Sequence, residues 1–217
     1  MMIGFLFGAF ALLHILMLTY GIKHIKPPSF RKVFLFALLF GLTYDNTVLA
    51  LGNVLVETSV FTAASLPRFL LHALVLPFLA LFALFTMQAA HVKLSHHKFT
   101  IIAVYIFTSA ALLYGVVHEL PGLHLTPIEN YEHWRMTNAE GGAPLATIAV
   151  NIAAIIMGAL VWRAKGPYWL FAGALSAFVI NTFSAPYAWS FITSNMAEIV
   201  FAYCLLRSEI ALEKKSL

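Results

Sequence analysis

The chain has 217 residues, 61% of them hydrophobic and only 10% charged, with a net charge of +4. A soluble domain usually carries about 25% charged residues, so this composition excludes an ordinary soluble fold and indicates a single membrane-embedded bundle. The lone cysteine, Cys204, excludes an intrachain disulfide and a cysteine-pair zinc site.

Seven apolar runs stand between charges and Pro/Gly punctuation: 2–20, 33–56, 67–90, 99–117, 144–162, 168–183 and 187–206. A helix needs roughly 17–25 residues to cross the hydrocarbon. The runs therefore predict an all-α, seven-transmembrane-helix bundle in one domain, residues 1–217. The first run is not read as a secretory signal, because its basic residues follow it. Pro77 predicts a kink in the third helix. Gly41 and Gly52 are expected to let neighbouring helices approach closely.

Lysines and arginines set the orientation. Lys23, Lys26, Arg31 and Lys32 fill the first connection, Lys93 and Lys98 the third, and Arg163 and Lys165 the fifth. Arg207, Lys214 and Lys215 close the chain, leaving only Arg68 and Arg135 on the other side. The expectation is an amino terminus outside and a cytoplasmic carboxyl terminus, in the cell membrane if the source is prokaryotic. The one long connection, 118–143, is then outer. With Pro121, Pro127, Tyr131 and Trp134 it reads either as a folded lid or as an interfacial loop with aromatic anchors.

Polar residues inside the runs carry the functional reading, because a carboxylate at the bilayer centre costs ~2.5–3.5 kcal/mol or more. Asp45 lies twelve residues into the second run, roughly 18 Å deep at 1.5 Å per residue. Glu198 reaches a similar depth from the other side, with Asn195 one turn above it. Asn46, Glu57, Arg68, His72, Asn151 and Asn181 also fall between the midplane and the outer surface. His14 and Gln88 are the main exceptions. The simplest account is one outward-opening polar cavity floored by Asp45 and Glu198, with Tyr44, Phe69, Tyr105, Tyr114, Phe178, Trp189 and Phe191 as wall candidates.

Blander roles stand beside these. Asn46, Asn151 and Asn181 equally suit interhelical hydrogen bonding, Glu57 and Arg68 an interfacial ion pair, and His72 a buried structural imidazole. Several activities are argued against. The last helix has neither the lysine of a retinal protein nor the His-x-x-x-His of a seven-helix zinc hydrolase. No aspartate-rich magnesium motif or phosphate-cradling glycine loop is present, and no basic aromatic patch suggests nucleic acid. His72 and His118 are both outer and supply the one conceivable bis-histidine haem pair. No cofactor and no metal are expected. The expected partners are the lipid bilayer and an apolar small molecule.

Two readings remain. In the first, a carboxyl kept protonated by its low-dielectric surroundings is a general acid toward an alkene or epoxide. Aromatic faces would then stabilise the carbocation, and a second carboxylate or His72 would take the final proton. In this layout the chain resembles the small seven-helix integral-membrane terpene cyclases of meroterpenoid and indole-terpenoid type. That resemblance implies metal-independent cyclisation or isomerisation of a prenylated substrate, with Asp45 or Glu57 as the early acid and Glu198 as the late one. The family's late acid would here be a glutamate. Tyr44, Asn46, Arg68, Asn151, Asn181, Trp189 and Asn195 would contact substrate. In the second reading the same carboxyls couple protons or cations to transport.

Overall fold

A computed structural model describes residues 2–25, 28–142 and 144–213. Lys26, Lys214 and Lys215, three of the basic residues that set the expected orientation, lie outside them. The described chain is mainly α-helical. Its elements are α1 (Met2–His24), α2 (Phe30–Ala50), a single turn α3 (Gly52–Leu55), α4 (Val60–Val75), α5 (Leu79–Ala89), α6 (Lys98–Tyr114), α7 (Leu145–Arg163), α8 (Trp169–Ser184) and α9 (Ser190–Glu213). A two-stranded antiparallel sheet, β1 (Leu125–Glu129) and β2 (Trp134–Asn138), is the only sheet among the described residues.

Five stretches are long and apolar enough to cross a membrane: Met2–His24, Phe30–Ala50, Val60–Ala89, Lys98–Glu119 and Leu145–Arg163. Trp169–Ser184 is apolar but shorter. α9 is long enough but interrupts its apolar run with Asn195, Glu198, Arg207 and Glu209. The outer surface is apolar as well, with Phe5, Phe40, Val54, Ile106 and Phe183 each more than half exposed. Such a surface is costly in water and ordinary in lipid.

Helix ends depart from expectation where capping or proline chemistry intervenes. α2 starts three residues early because the Ser29 hydroxyl accepts from the Lys32 amide, satisfying an orphan donor of the first turn. It stops at Ala50, and residues 52–55 form a separate turn instead of prolonging it to residue 56. The third run begins at Val60 rather than Pro67. Proline removes only one backbone donor there, and the apolar residues before it stay helical. Pro77 does break the rod, in a 3₁₀ turn at Leu76–Phe78 between α4 and α5. The last helix runs to Glu213, well past the expected end at Leu206.

Packing centres on α5, where Leu79 through Leu84 are all buried, so this helix has no solvent or lipid face over that stretch. It contacts α2, α6, α7 and α9. α8 lies close to both neighbours because it meets glycine or supplies it. A Cβ on Gly173 would sit 2.6 Å from the Cys204 Cβ, and one on Gly158 would sit 2.6 Å from the Phe171 amide nitrogen. Small residues thus set helix approach, as they do in lipid-embedded bundles. Gly41 does not serve this role, since its nearest neighbour would be Leu71 at 3.7 Å. Gly52 does allow a close approach, but to the Trp134 carbonyl of the hairpin rather than to a helix.

The long connection is folded. β1 and β2 pair from Leu125↔Asn138 to Glu129↔Trp134. At the tip Tyr131 and Glu132 both take positive φ, 56° and 58°, as a two-residue primed turn requires. Neither is glycine, so the turn carries local strain. Docking of the tip offsets it. His133 is 1% exposed, stacked 5.6 Å from Phe7 of α1 and lying nearly parallel to Phe191 of α9 at 6.5 Å. Asn53 clasps the same tip, donating to the Glu132 carbonyl at 2.8 Å and accepting from the Trp134 amide at 2.8 Å.

Candidate functional site

Helices α2, α4, α7, α8 and α9, with Leu79 of α5 and Tyr114 of α6, line a common cavity of about 670 Å³, a size usual for small-molecule sites. On α2 the facing residues are Ala37, Leu38, Gly41, Leu42 and Asp45, the i, i+4, i+8 pattern of one helical stripe. On α4 they are Arg68, Phe69 and His72, running down through Val75 and Leu76 to Leu79. α9 contributes Asn195, Glu198 and Phe201, α7 contributes Thr147, Val150 and Asn151, and α8 contributes Ala177 and Asn181.

Chain direction sorts these residues by depth. Asp45, Arg68, His72 and Asn195 lie toward the hairpin end. Ala37, Leu38, Leu76, Leu79 and Phe201 lie toward the opposite end, with Asp45 about 10–12 Å from Leu38 and Ala37 along α2. The pocket therefore has a polar upper half and an apolar floor. Its mouth is edged by the connection, through His118, Glu119, Leu120, Gly122, Asn138 and Glu140–Gly142.

The polar half is unevenly satisfied. Arg68 donates from Nε to Asp45 Oδ1 at 2.6 Å, and both side chains are mostly buried. A charge-assisted bond of this geometry fixes the guanidinium beside Asp45 at the pocket. Arg68 Nη1 is buried without a partner, as are Glu198 Oε2 and the side-chain oxygens of Asn151, Asn181 and Asn195. Asn195 uses its Nδ2 on the Phe191 carbonyl one turn back at 2.8 Å, which leaves Oδ1 uncommitted. Buried polar groups in native proteins nearly always have partners, and each orphan calls for an explanation. Here several orphans face one cavity.

The sequence-predicted residues divide cleanly. Asp45, Arg68, His72, Asn151, Asn181, Asn195 and Glu198 meet at the pocket, with Phe69 and Tyr114 among its aromatic walls. Arg68 pairs with Asp45 and not with Glu57, which lies exposed on the turn after α3. The chain bends away at Leu51, so Glu57 does not continue the Asp45 face. Asn46 points elsewhere on α2, buried and donating to the Leu42 carbonyl at 2.9 Å. Tyr44 donates to the Ala64 carbonyl at 2.8 Å, in the turn before Pro67, and lies outside the lining. Trp189 stacks on Tyr187 at 4.8 Å, 40% exposed. Tyr105 is exposed, Phe178 lies outside the lining, and Phe191 belongs to the hairpin dock.

Arg135 was not foreseen as part of that dock. Its guanidinium lies 4.7 Å from the Phe191 ring centroid, and burial holds it below its usual pKa. Burial likewise holds His133 below the ordinary imidazole value, outweighing the Leu49 carbonyl, which acts the other way. Among the described residues no three His, Cys, Asp or Glu side chains converge as metal ligands would. No protein-family model matches the chain, and no curated protein matches it.

Proposed function

We propose that this chain is a multi-pass membrane enzyme of seven spans, amino terminus outside, that cyclises or isomerises a prenylated, isoprenoid-like substrate by acid catalysis. The observation that carries the reading is Glu198. Its half-buried side chain, with Oε2 buried and unpartnered, lines the same cavity as the Arg68-held Asp45, above an apolar floor. Two carboxyls in unlike surroundings suit opposite protonic roles.

In this scheme Glu198 gives its proton to an alkene carbon or an epoxide oxygen, and the substrate's electron pair forms the new C–H or O–H bond. The cation that results closes onto a second double bond within the apolar half, near the faces of Phe69, Tyr114 and Phe201. A C–H proton then leaves to His72 or to Asp45, restoring a double bond, and exchange with solvent at the mouth removes the proton from that base and returns one to Glu198. Arg68, bonded to Asp45, supplies a fixed positive charge at the polar end of the cavity. The likeness to the membrane terpene cyclases stays one of layout: an early acid, here Asp45 rather than Glu57, and a late one in Glu198.

The test is turnover of prenylated aromatic or polyprenyl epoxide substrates by purified protein in detergent, without added metal. Glu198→Gln should abolish product while the helical circular dichroism is retained. Turnover that persists in both Asp45→Asn and Glu198→Gln, or that a chelator abolishes, overturns the acid mechanism.

A proton- or cation-coupled carrier is the second reading, favoured by one observation. Buried ion pairs join α2 to α9 at the far end, Arg31 to Glu209 and Lys32 to Glu213, where a carrier would have to open. Substrate uptake into proteoliposomes that follows an imposed pH gradient would select it.

A further inference from the structure

The balance of donors and acceptors in the upper cavity specifies a ligand head group. Asn151, Asn181, Asn195, Glu198 and Glu119 line it and each keeps a buried side-chain oxygen without a partner, while Arg68 Nη1 is the buried donor left without one among the described lining residues. Asn195 is the firmest of these. It is 8% exposed, and its Nδ2 bond to the Phe191 carbonyl fixes which amide atom is left over, because a carbonyl can pair only with the nitrogen. A ligand that satisfied these atoms would have to present N–H or O–H groups.

Charge points the same way. Asp45, Glu119, Glu140 and Glu198 line the cavity, whereas among the described residues Arg68 is its one lysine or arginine and already holds Asp45. An anionic head would enter where acidic side chains outnumber lysines and arginines and the one guanidinium is already bonded to Asp45. Beneath, Leu38, Leu76, Leu79 and Phe201 offer only hydrocarbon contact.

We infer that the cavity binds an amphiphile whose head is a non-anionic hydrogen-bond donor, an alcohol, phenol or amine, carried on an apolar chain, and that it discriminates against carboxylate and phosphate heads. This names the substrate class of the site read above as an acid catalyst and rests on that reading for its catalytic meaning.

The experiment measures equilibrium binding of four chain-matched probes to purified protein in a non-ionic detergent: farnesol, farnesylamine, farnesoic acid and farnesyl phosphate. The expected result is that the first two bind at least about tenfold more tightly than the last two, a difference of about 1.4 kcal/mol. Asn195→Leu should reduce that preference to less than about threefold while the apolar chain still binds. Anionic probes binding as tightly as the alcohol and amine would overturn the inference, as would no binding by any of the four. If Asn195→Leu does not fold, the wild-type ranking alone decides. Donor-head preference without turnover on any prenylated substrate would leave this inference standing and sink the acid mechanism. Turnover with an anionic preference would do the reverse.

Discussion

At the end of the bundle away from the hairpin, Arg31 donates to Glu209 from Nε at 2.7 Å and to the Phe85 carbonyl from Nη1 at 3.0 Å, while Lys32 pairs with Glu213. At the hairpin end the Asp45–Arg68 pair is the buried pair matched in this way among the described residues, and Glu198 and three asparagines line the cavity with side-chain oxygens left without a partner. Both ends contain buried carboxyls. At one, the charges meet cations from a second helix and tie α2 to α9. At the other, the polar atoms are held apart around a volume. Burial of a polar group is therefore a weak functional signal in this protein, and burial without a partner beside a cavity is a strong one.

The sharpest way to break the comparison is to neutralise one carboxyl at each end. Glu198→Gln should cost about 10²–10⁴ in turnover, the usual contribution of a positioned general acid, with little change in melting temperature. Loss of fold without a specific loss of turnover would mean that Glu198 belongs with the structural charges. Glu209→Ala should behave in the opposite sense. Removing one partner of a buried pair costs about 3–5 kcal/mol, and it would leave Arg31 uncompensated where Glu209 was fully buried. A large drop in melting temperature, with ligand binding kept in the folded fraction, is expected. An unchanged melting temperature would show that the far-end pairs contribute nothing.

A smaller effect sharpens the contrast. An unsatisfied buried polar group costs about 1–3 kcal/mol, so Asn195→Leu should raise melting temperature modestly while weakening ligand binding. Stability and function would then pull against each other at this position. A destabilised Asn195→Leu protein that binds ligand normally would assign Asn195 to packing.

The cavity was legible in sequence because depth along a helix follows from counting, and polar residues in an apolar run are conspicuous. Asp45, His72, Asn151 and Glu198 were placed by that argument alone. It failed where direction around the helix mattered. Asn46 is adjacent to Asp45 but points to a different face, and Tyr44 spends its hydroxyl on a backbone carbonyl. It failed also for Glu209, because the last helix was ended at its apolar limit although Ser208–Glu213 continues helical. The hairpin left no periodic signal. Pro127 in β1 argues against a strand, and the primed turn uses Tyr131–Glu132 in place of the usual Asn-Gly. What fixes it is tertiary: a histidine fitted among rings from two helices far apart in sequence.

That histidine supplies the smallest and most specific prediction. His133 is docked beside Phe7 and Phe191, near Arg135, and burial holds its pKa below the ordinary value. An undocked tip would titrate near 6.5. Between the docked and undocked values the released hairpin binds a proton that the docked one does not, so acid favours release. Docking is fully stable above about pH 6.5 and weakens as pH falls, by at most about 1.4 kcal/mol per pH unit for one proton. Hydrogen exchange of the β1 and β2 amides should accelerate between pH 7 and pH 5.5 beyond the intrinsic change in exchange chemistry, while α5 amides show no such excess. His133→Phe keeps the ring stack and removes the titration, so its hairpin should lose that excess. An excess that survives in His133→Phe would place the acid sensitivity on another group.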